Sequence, residues 1–212
     1  PTCVATTHRP AISSGPVRPT APCAERVDAL FGGSFDPVHL GHLVVAEVAA
    51  EALGMRVRLV PAREQPFKRS RHGATPVQRL DMLRLAAAGN PRLAVEPIEL
   101  ELPAPSYTVR TLRALALREP GNRFTLLLGA DAAREMPAWH EAAALPELAE
   151  VVVFARPGWT VPDSSVIRRV LEVPGVDISA TAVRQRVAAG RSIRYFVPDA
   201  VREYIATHGL YR

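Results

Sequence analysis

Short apolar runs alternate with helical segments along most of this chain, and that alternation constrains its fold more than any other feature. Five runs have the length and composition of buried strands: Val27–Phe31, Val57–Val60, Leu93–Val95, Phe124–Leu128 and Val151–Phe154. Nearly continuous apolar runs are typical of parallel strands that are buried on both faces. Strands that alternate with helices therefore predict an α/β fold with a parallel, doubly wound sheet.

Sequence signals for helix ends place helices between these strands. Gly54 is expected to end one helix, Thr75 to cap a second that has Pro76 at its first position, and Ser106 to cap a third. The predicted helices are His39–Leu53, Pro76 to about Ala88, Tyr107 to about Arg118, a short one after Asp131, Thr181–Ala189 and Pro198–Thr207. The last two form a small C-terminal helical portion.

Residues 1–26 are rich in Pro, Thr, Ser and Ala and show no apolar periodicity. We predict a disordered N-terminal extension there, followed by one domain over residues 27–212. Both cysteines, Cys3 and Cys23, fall in this extension, which favours a reduced, cytoplasmic protein over a disulfide framework. The sequence has no run of about 18 apolar residues that predicts a membrane span, and no secretory signal is evident.

The chain has a formal net charge of +5, and its basic residues are 25 arginines and a single lysine. The arginines are dispersed and no aromatic residues are interleaved with them, so a nucleic-acid-binding module is the weaker alternative. The cationic groups suit anionic small molecules instead.

The predicted topology indicates where a ligand binds. In doubly wound sheets, ligands lie beyond the carboxyl ends of the strands, where the strand order reverses. With the usual order, the first and fourth strands flank that point, and the loops that follow them are Gly32–His39 and Gly129–Asp131. Both loops contain the glycines and polar residues that a site for a polar ligand requires.

The segment Gly32–His42 has several features of a phosphate site. The two glycines at its start let the backbone approach a ligand, with amides free to face phosphate oxygens. His39 and His42 are three residues apart at a helix start, so both point to one side, and the helix N-terminus there favours anions. Gly41 removes a side chain from the place where a phosphate would sit. Helix capping or metal binding is the alternative role for the histidines.

This segment matches the His-x-Gly-His signature of the nucleotidylyltransferase superfamily, and the longer string GGSFDPVHLGHL resembles that of bacterial nicotinate-nucleotide adenylyltransferases. The resemblance covers nearly all of residues 27–211 and implies a Rossmann-like sheet. It also implies that His39 and His42 contact ATP phosphates and stabilise charge on the transferring group. The ATP contacts implied beside them are Gly32, Gly33, Ser34, Phe35 and Gly41.

A helix start near the C-terminus resembles a second phosphate-binding motif of that family. The segment Ile178–Arg184 is similar to ISSTxxR, with Ala180 where many members have serine. The resemblance implies ATP binding by Ser179 and Thr181 and a catalytic role for Arg184. Hydroxyls at a helix start also cap the helix, which is the alternative role here.

The single lysine lies in a proline-containing loop. The family has a loop that ends in PPHK, which Gln65–Lys68 resembles, with Phe67 in place of the histidine. Lys68 is expected to be catalytic and to contact substrate phosphate, because the chain uses arginine everywhere else and a single lysine indicates a site that prefers a compact ammonium. A solvated loop lysine is the alternative.

Two segments have features expected of an acceptor site. The amides of Tyr107 and Thr108 open a helix, lack intrahelical partners, and so favour a carboxylate over a neutral amide. Trp139 follows Gly129–Asp131 and offers an aromatic face to a pyridine ring. By resemblance to the family pattern GxD…W, Trp139 stacks on a nicotinate ring and Asp131 lies near the bound nucleotide.

The resemblance thus implies adenylyl transfer from ATP to nicotinate mononucleotide (NaMN), giving deamido-NAD and pyrophosphate in NAD biosynthesis. Mg²⁺ is expected to be bound through the ATP phosphates, with no metal site formed by the protein alone. Nicotinamide mononucleotide and phosphopantetheine are the alternative acceptors. A class I aminoacyl-tRNA synthetase has a similar His-Gly-His element, but this chain is too short for the rest of one.

Overall fold

A six-stranded sheet lies at the centre of the protein, and every neighbouring pair of strands is parallel. The computed structural model describes residues 27–64, 73–156 and 158–212, so the predicted extension of residues 1–26 lies outside the described residues. The strands are β1 (Val27–Gly33), β2 (Arg56–Pro61), β3 (Leu93–Val95), β4 (Arg123–Gly129), β5 (Ala149–Ala155) and β6 (Ile167–Glu172). Their order is β3-β2-β1-β4-β5-β6, which reverses between β1 and β4 as predicted.

Helices cover both faces of the sheet. They are α1 (Leu40–Leu53), α2 (Pro76–Ala87), α3 (Ile98–Glu101), α4 (Thr108–Arg118), α5 (Ala130–Glu135), α6 (Leu145–Leu148), α7 (Ala180–Ala188) and α8 (Asp199–Thr207), with short 3₁₀ turns at Met136–Ala138 and Ala142–Ala144. Side chains alternate along β1: Phe31 joins a core with α1, α2, α7 and α8, whereas Leu30 joins a core with α4, α5 and α6. The doubly wound, Rossmann-like α/β architecture is therefore confirmed. The C-terminal helices α7 and α8 belong to the first core through Val183 and Ile205.

Two helix ends follow directly from the sequence signals. Gly54 ends α1 with φ of 64°, a left-handed conformation that glycine adopts without a steric penalty. The Thr75 hydroxyl accepts a hydrogen bond from the Gln78 amide at 3.2 Å, and α2 begins at the proline that follows Thr75. The predicted capping of α2 is therefore confirmed.

The prediction that Ser106 caps α4 is wrong. Tyr107 is the N-cap residue, and its side chain makes no capping hydrogen bond. The Ser106 hydroxyl instead accepts the Arg63 amide at 3.0 Å, and the Ser106 amide donates to the Glu64 carbonyl at 2.9 Å. Ser106 therefore ties the entry of α4 to the loop that follows β2.

The edge strand β6 has no counterpart among the strands predicted from the sequence. Leu171 is buried, but Arg168, Arg169 and Val170 are exposed, so the segment has no continuous apolar run. Backbone hydrogen bonds to one neighbour, β5, hold an edge strand in place without such a run. Within the described ranges, no helix has both the length and the apolar composition needed to span a bilayer.

A buried cluster of charges lies on the α4 side of the sheet, around Arg58 in β2. Its guanidinium donates to the carboxylates of Asp28, of Glu96 at 3.2 Å and of Glu119 at 2.5 Å. Hydrogen bonding to Glu119 and Asp28 raises the pKa of Arg58 above its usual value. Because Asp28 is near the amino end of β1, this cluster lies away from the loops that follow the carboxyl ends of β1 and β4.

Candidate active site

Asp36 connects the loop after β1 to two other segments of the chain. Its carboxylate accepts hydrogen bonds from the amides of Gly73 and Ala74, at 2.8 and 3.1 Å, and from the Tyr211 hydroxyl at 2.7 Å. The Tyr211 ring lies so close to Gly73 that a Cβ there would meet it at 2.6 Å. The C-terminal segment thus reaches the loop that precedes the two histidines.

His39 and His42 lie together at the start of α1. The His39 side chain is buried, and its ring stacks on that of His42 with 3.6 Å between centroids. The His39 amide donates to Nδ1 of His42 at 3.2 Å. An Nδ1 that accepts a hydrogen bond carries no proton, so neutral His42 has its proton on Nε2 and can donate only from that atom.

Both imidazoles are neutral near pH 7 in the free protein. Burial, with a smaller contribution from the positive charge of Arg156, lowers the pKa of His39 to about 4. Burial, His39 and Arg156 together lower the pKa of His42 well below its usual value. The histidines therefore present hydrogen-bond donors rather than full charges to an anion.

The lowered pKa of His39 predicts a loss of stability in acid. Between the unfolded-state pKa of 6.5 and the folded-state value of about 4, the unfolded chain binds more protons, so stability falls as the pH falls through this window. We expect the titration of this histidine to lower the free energy of unfolding by about 2 kcal/mol between pH 7 and pH 5. Urea unfolding at pH 7 and pH 5 measures the loss.

The His39→Asn variant isolates this contribution, because it removes this titrating group and leaves every carboxylate of the chain in place. The variant is expected to lose less stability than the wild type between pH 7 and pH 5. The His208→Asn variant, which alters an exposed histidine at the end of α8, should follow the wild type. Equal losses in the wild type and His39→Asn would refute the interpretation.

Gly41 allows close packing beside the histidines. A Cβ on Gly41 would meet the His39 ring at 3.1 Å and the Ile178 carbonyl at 3.6 Å. The space that the sequence analysis assigns to a phosphate is therefore bordered by a histidine ring and by the segment that leads into α7. Contact of Gly41 itself with ATP stays a prediction.

The start of α7 meets the loop after β1, so the two predicted phosphate segments lie side by side. Arg184 donates to the Asp36 carbonyl at 2.7 Å and to the Thr181 hydroxyl at 3.1 Å. The Ser179 hydroxyl caps α7 by accepting the Ala182 amide at 3.1 Å. Capping thus accounts for Ser179, and its contact with ATP stays a prediction.

The four predicted acceptor residues line one cavity of about 320 Å³ beyond the carboxyl ends of β1 and β4. Tyr107 and Thr108 contribute the start of α4, while Asp131 and Trp139 come from α5 and the turn after it. Gly32 and Gly33, which begin the segment Gly32–His42 (the phosphate loop), line the same cavity. The loops after β1 and β4 therefore meet as the topology predicts, and the start of α4 joins them.

His140 and Glu99 also line this cavity, and the sequence analysis assigns a role to neither. The His140 ring stacks on Tyr107 at 4.3 Å between centroids, and the Arg110 guanidinium lies 4.8 Å from the Tyr107 ring centroid. Burial raises the pKa of Glu99, whose carboxylate accepts the Thr111 hydroxyl at 2.8 Å. Glu99 reaches the cavity from α3 and His140 from the turn after α5, so only the folded structure reveals these neighbours.

A second cavity, of about 200 Å³, adjoins the first. It shares Asp131 with the first cavity and is also lined by Phe154, Arg156 and Trp159. Arg156, which the sequence analysis does not identify, is the first residue after β5 and influences both histidines electrostatically. Its position after a strand next to β4 is the sequence signal that could have identified it.

Lys68 lies outside the described residues, as does the rest of residues 65–72. The flanking residues are described and contact both parts of the site. Glu64 accepts from the Ser106 amide at 2.9 Å, and the Gly73 amide donates to Asp36. Among the described residues, no group of three or more His, Cys, Asp or Glu side chains could hold a metal ion.

Paired histidines at a helix start, placed where the strand order reverses, have the arrangement predicted for a site that handles nucleotide phosphates. Residues 30–186 match the family model described as cytidylyltransferase-like, and the chain belongs to that family of nucleotide-transferring proteins. Within it, the curated relatives below place the chain among the nicotinate-nucleotide adenylyltransferases.

Two of these relatives are each named "Probable nicotinate-nucleotide adenylyltransferase". The protein of Roseiflexus sp. (strain RS-1) is 46% identical over 196 residues, covering 86% of this chain and 96% of the relative. That of Thermus thermophilus is 46% identical over 185 residues, covering 86% of this chain and 98% of the relative.

A solved structure has the same fold. The nicotinic acid mononucleotide adenylyltransferase of Plasmodium falciparum, complexed with NaAD, superposes with a TM-score of 0.71 over 88% of this chain and 98% of the other. The two chains are 17% identical, so this likeness concerns the fold alone.

Proposed function

We propose that this enzyme transfers the adenylyl group of ATP to NaMN and forms deamido-NAD and pyrophosphate in NAD biosynthesis. The observation that carries the proposal is the cavity that the start of α4 and Trp139 line together with Gly32 and Gly33, at the end of β1. An acceptor held there has its phosphate end directed towards Gly32 and Gly33. The names of the curated relatives support the same reaction.

The proposed reaction depends more on alignment of the two substrates than on a general base. The second pKa of a phosphate monoester is about 6, so the NaMN phosphate is already an anion near neutral pH. Its oxygen forms a bond to the α-phosphorus of ATP, the bond from that phosphorus to the β-phosphate bridging oxygen breaks, and pyrophosphate leaves. Positioned donors that stabilise the transferring group supply most of such a rate enhancement.

We assign that stabilisation to the groups around the start of α1. Nε2–H of His42 and the ring of His39 act as neutral donors, and Arg156 adds positive potential. Arg184 and Lys68 are proposed to bind phosphate oxygens from α7 and from the loop before α2. The second cavity, with Phe154 and the half-exposed Trp159, is proposed to take the nucleoside of ATP.

Mg²⁺ is proposed to enter the site on the triphosphate. Stacked neutral imidazoles and arginines are poor ligands for a hard cation, whereas phosphate oxygens are good ones. When bound, the ion would neutralise charge on the leaving pyrophosphate. Because the reaction consumes ATP, we place the enzyme in the cytoplasm.

Trp139 and Trp159 line one cavity each, so their variants test separately which substrate each cavity binds. Stacking of an aromatic pair contributes about 0.5–1.5 kcal/mol, so Trp139→Ala should raise KM for NaMN about 3- to 10-fold and leave KM for ATP unchanged. Trp159→Ala, the matched control in the second cavity, should raise KM for ATP instead. Steady-state kinetics with each substrate varied in turn measures both values, and a swap of the two effects would refute the assignment.

Acceptor identity is tested by pyrophosphate release from ATP with NaMN, nicotinamide mononucleotide or phosphopantetheine. A carboxylate accepts the hydrogen bonds of the Tyr107 and Thr108 amides more strongly than a neutral amide does, so kcat/KM should be at least about tenfold higher with NaMN. A preference for either alternative acceptor would overturn the acceptor assignment. No pyrophosphate with any of the three would overturn the proposed function.

A further inference from the structure

Arg79 in α2 is a second buried arginine, and its guanidinium contacts two loops at the carboxyl ends of neighbouring strands. Its exposed fraction is 0%. One terminal nitrogen, Nη1, donates to the Ser34 carbonyl at 2.6 Å, and the other, Nη2, donates to the Arg63 carbonyl at 3.2 Å. Ser34 belongs to the loop after β1, and Arg63 to the loop after β2.

Each of these loops supports one half of the site. Ser34 lies in the segment that leads to the paired histidines. The Arg63 amide donates to the Ser106 hydroxyl at 3.0 Å, which fixes the entry of α4 and with it the amides of Tyr107 and Thr108. A short path of hydrogen bonds therefore joins the phosphate loop to the acceptor cavity, and Arg79 is at its centre.

The arrangement differs from that of Arg58, the other buried arginine. Carboxylates surround Arg58, and their hydrogen bonds raise its pKa. Arg79 donates to carbonyls, its Nε makes no hydrogen bond to any described residue, and burial lowers its pKa. Taking a charge out of water is costly. The hydrogen bonds from Arg79 to the two carbonyls offset part of that cost, and they also hold the two loops at a fixed spacing.

Building on the proposed adenylyl transfer, we propose that Arg79 is a positioning residue that sets the distance between the donor phosphates and the acceptor. The planar guanidinium fixes both carbonyls relative to each other, so the two loops cannot drift apart independently. In-line attack depends on that distance, and misplacement of the reacting atoms by 1 Å can lower the rate about 100-fold. Arg79 does not touch substrate, because its side chain is fully buried.

The test separates alignment from folding and from binding. We compare Arg79→Met and Arg79→Lys with Arg58→Met, the matched loss of a buried guanidinium whose described hydrogen bonds reach neither the loop after β1 nor the loop after β2. Three quantities are measured for each full-length variant: the folded fraction in urea, Kd for NaMN and for ATP separately by calorimetry, and kcat per folded molecule. Both arginine-to-methionine changes are expected to shift the unfolding midpoint.

Arg79→Met should lower kcat about 100-fold, with each Kd within about 3-fold of the wild-type value. Arg79→Lys should give an intermediate kcat, because one ammonium replaces two rigidly spaced donors. Arg58→Met should keep the wild-type kcat per folded molecule. If Arg79→Met does not fold, Arg79→Lys carries the test, and wild-type kcat from this variant overturns the proposal.

Two outcomes distinguish this proposal from the function on which it rests. An active wild type together with an Arg79→Met variant of wild-type kcat per folded molecule overturns the positioning role alone. A wild type that does not convert ATP and NaMN overturns the proposed function and the positioning role with it. Equal weakening of both Kd values without a change in kcat shows a purely structural role and also overturns the proposal.

Discussion

The His42→Ala variant is expected to turn over about 100- to 1000-fold more slowly than the wild type, the range for losing one fixed donor to transition-state charge. His42 is held by the His39 amide at Nδ1, so its proton points away on Nε2. A neutral donor fixed in advance costs no reorganisation when charge develops on the transferring group. Single-turnover measurements with saturating ATP and NaMN report this loss directly.

His39→Ala should lower kcat by about 100-fold or more for the same reason. The His208→Ala variant is the control, because this exposed histidine packs on Tyr204 at the end of α8 and not in the site. It should retain wild-type kcat. Wild-type turnover from both His39→Ala and His42→Ala would exclude the proposed role of the pair.

The Arg184→Met variant is expected to lower kcat/KM for ATP by about 100-fold. Its guanidinium joins α7 to the Asp36 carbonyl and also contacts the Thr181 hydroxyl in the same helix. Its loss removes a charge that we propose binds phosphate, and it loosens the contact between the two predicted phosphate segments. Hydrogen bonds to charged groups contribute about 1.5–3 kcal/mol, and the upper part of that range corresponds to the predicted loss. Initial rates at varied ATP and saturating NaMN measure it.

Arg186, two residues further along α7, provides the matched control. Its side chain donates to the Ser192 carbonyl at 2.8 Å and lies over the Phe196 ring, on a different side of the helix from Arg184. Arg186→Met should change kcat/KM for ATP by less than about 3-fold, as expected of a surface contact. Similar losses in Arg184→Met and Arg186→Met would show a general effect of α7 on stability instead.

Local patterns predicted the features that depend on short stretches of chain. The apolar runs identified β1 to β5, because strands buried on both faces need such runs. Gly54 and Thr75 marked helix ends through conformations and hydrogen bonds within four residues. The order of the strands placed the loops after β1 and β4 together, so Gly32 and Asp131 line one cavity as the topology predicts. Tyr107 and Thr108, which follow α3, were assigned to the acceptor site from their free amides and from the family resemblance instead.

Features that depend on contacts between distant segments were not predicted. The Ser106 hydroxyl could cap a helix or bind another loop, and only the position of Arg63 decides between them. Arg79 is one of 25 arginines, and nothing in its neighbours indicates full burial between two loops. Tyr211 reaches Asp36 across 175 residues of sequence, a contact that no local pattern encodes.

The central claim is that an oxygen of the NaMN phosphate displaces pyrophosphate from the α-phosphorus of ATP. The most direct measurement uses NaMN whose non-bridging phosphate oxygens are ¹⁸O, with mass spectrometry of the products. The account predicts deamido-NAD that retains all of the label, together with unlabelled pyrophosphate in equal amount. Release of AMP in place of pyrophosphate, or no labelled deamido-NAD from the folded enzyme, would contradict it.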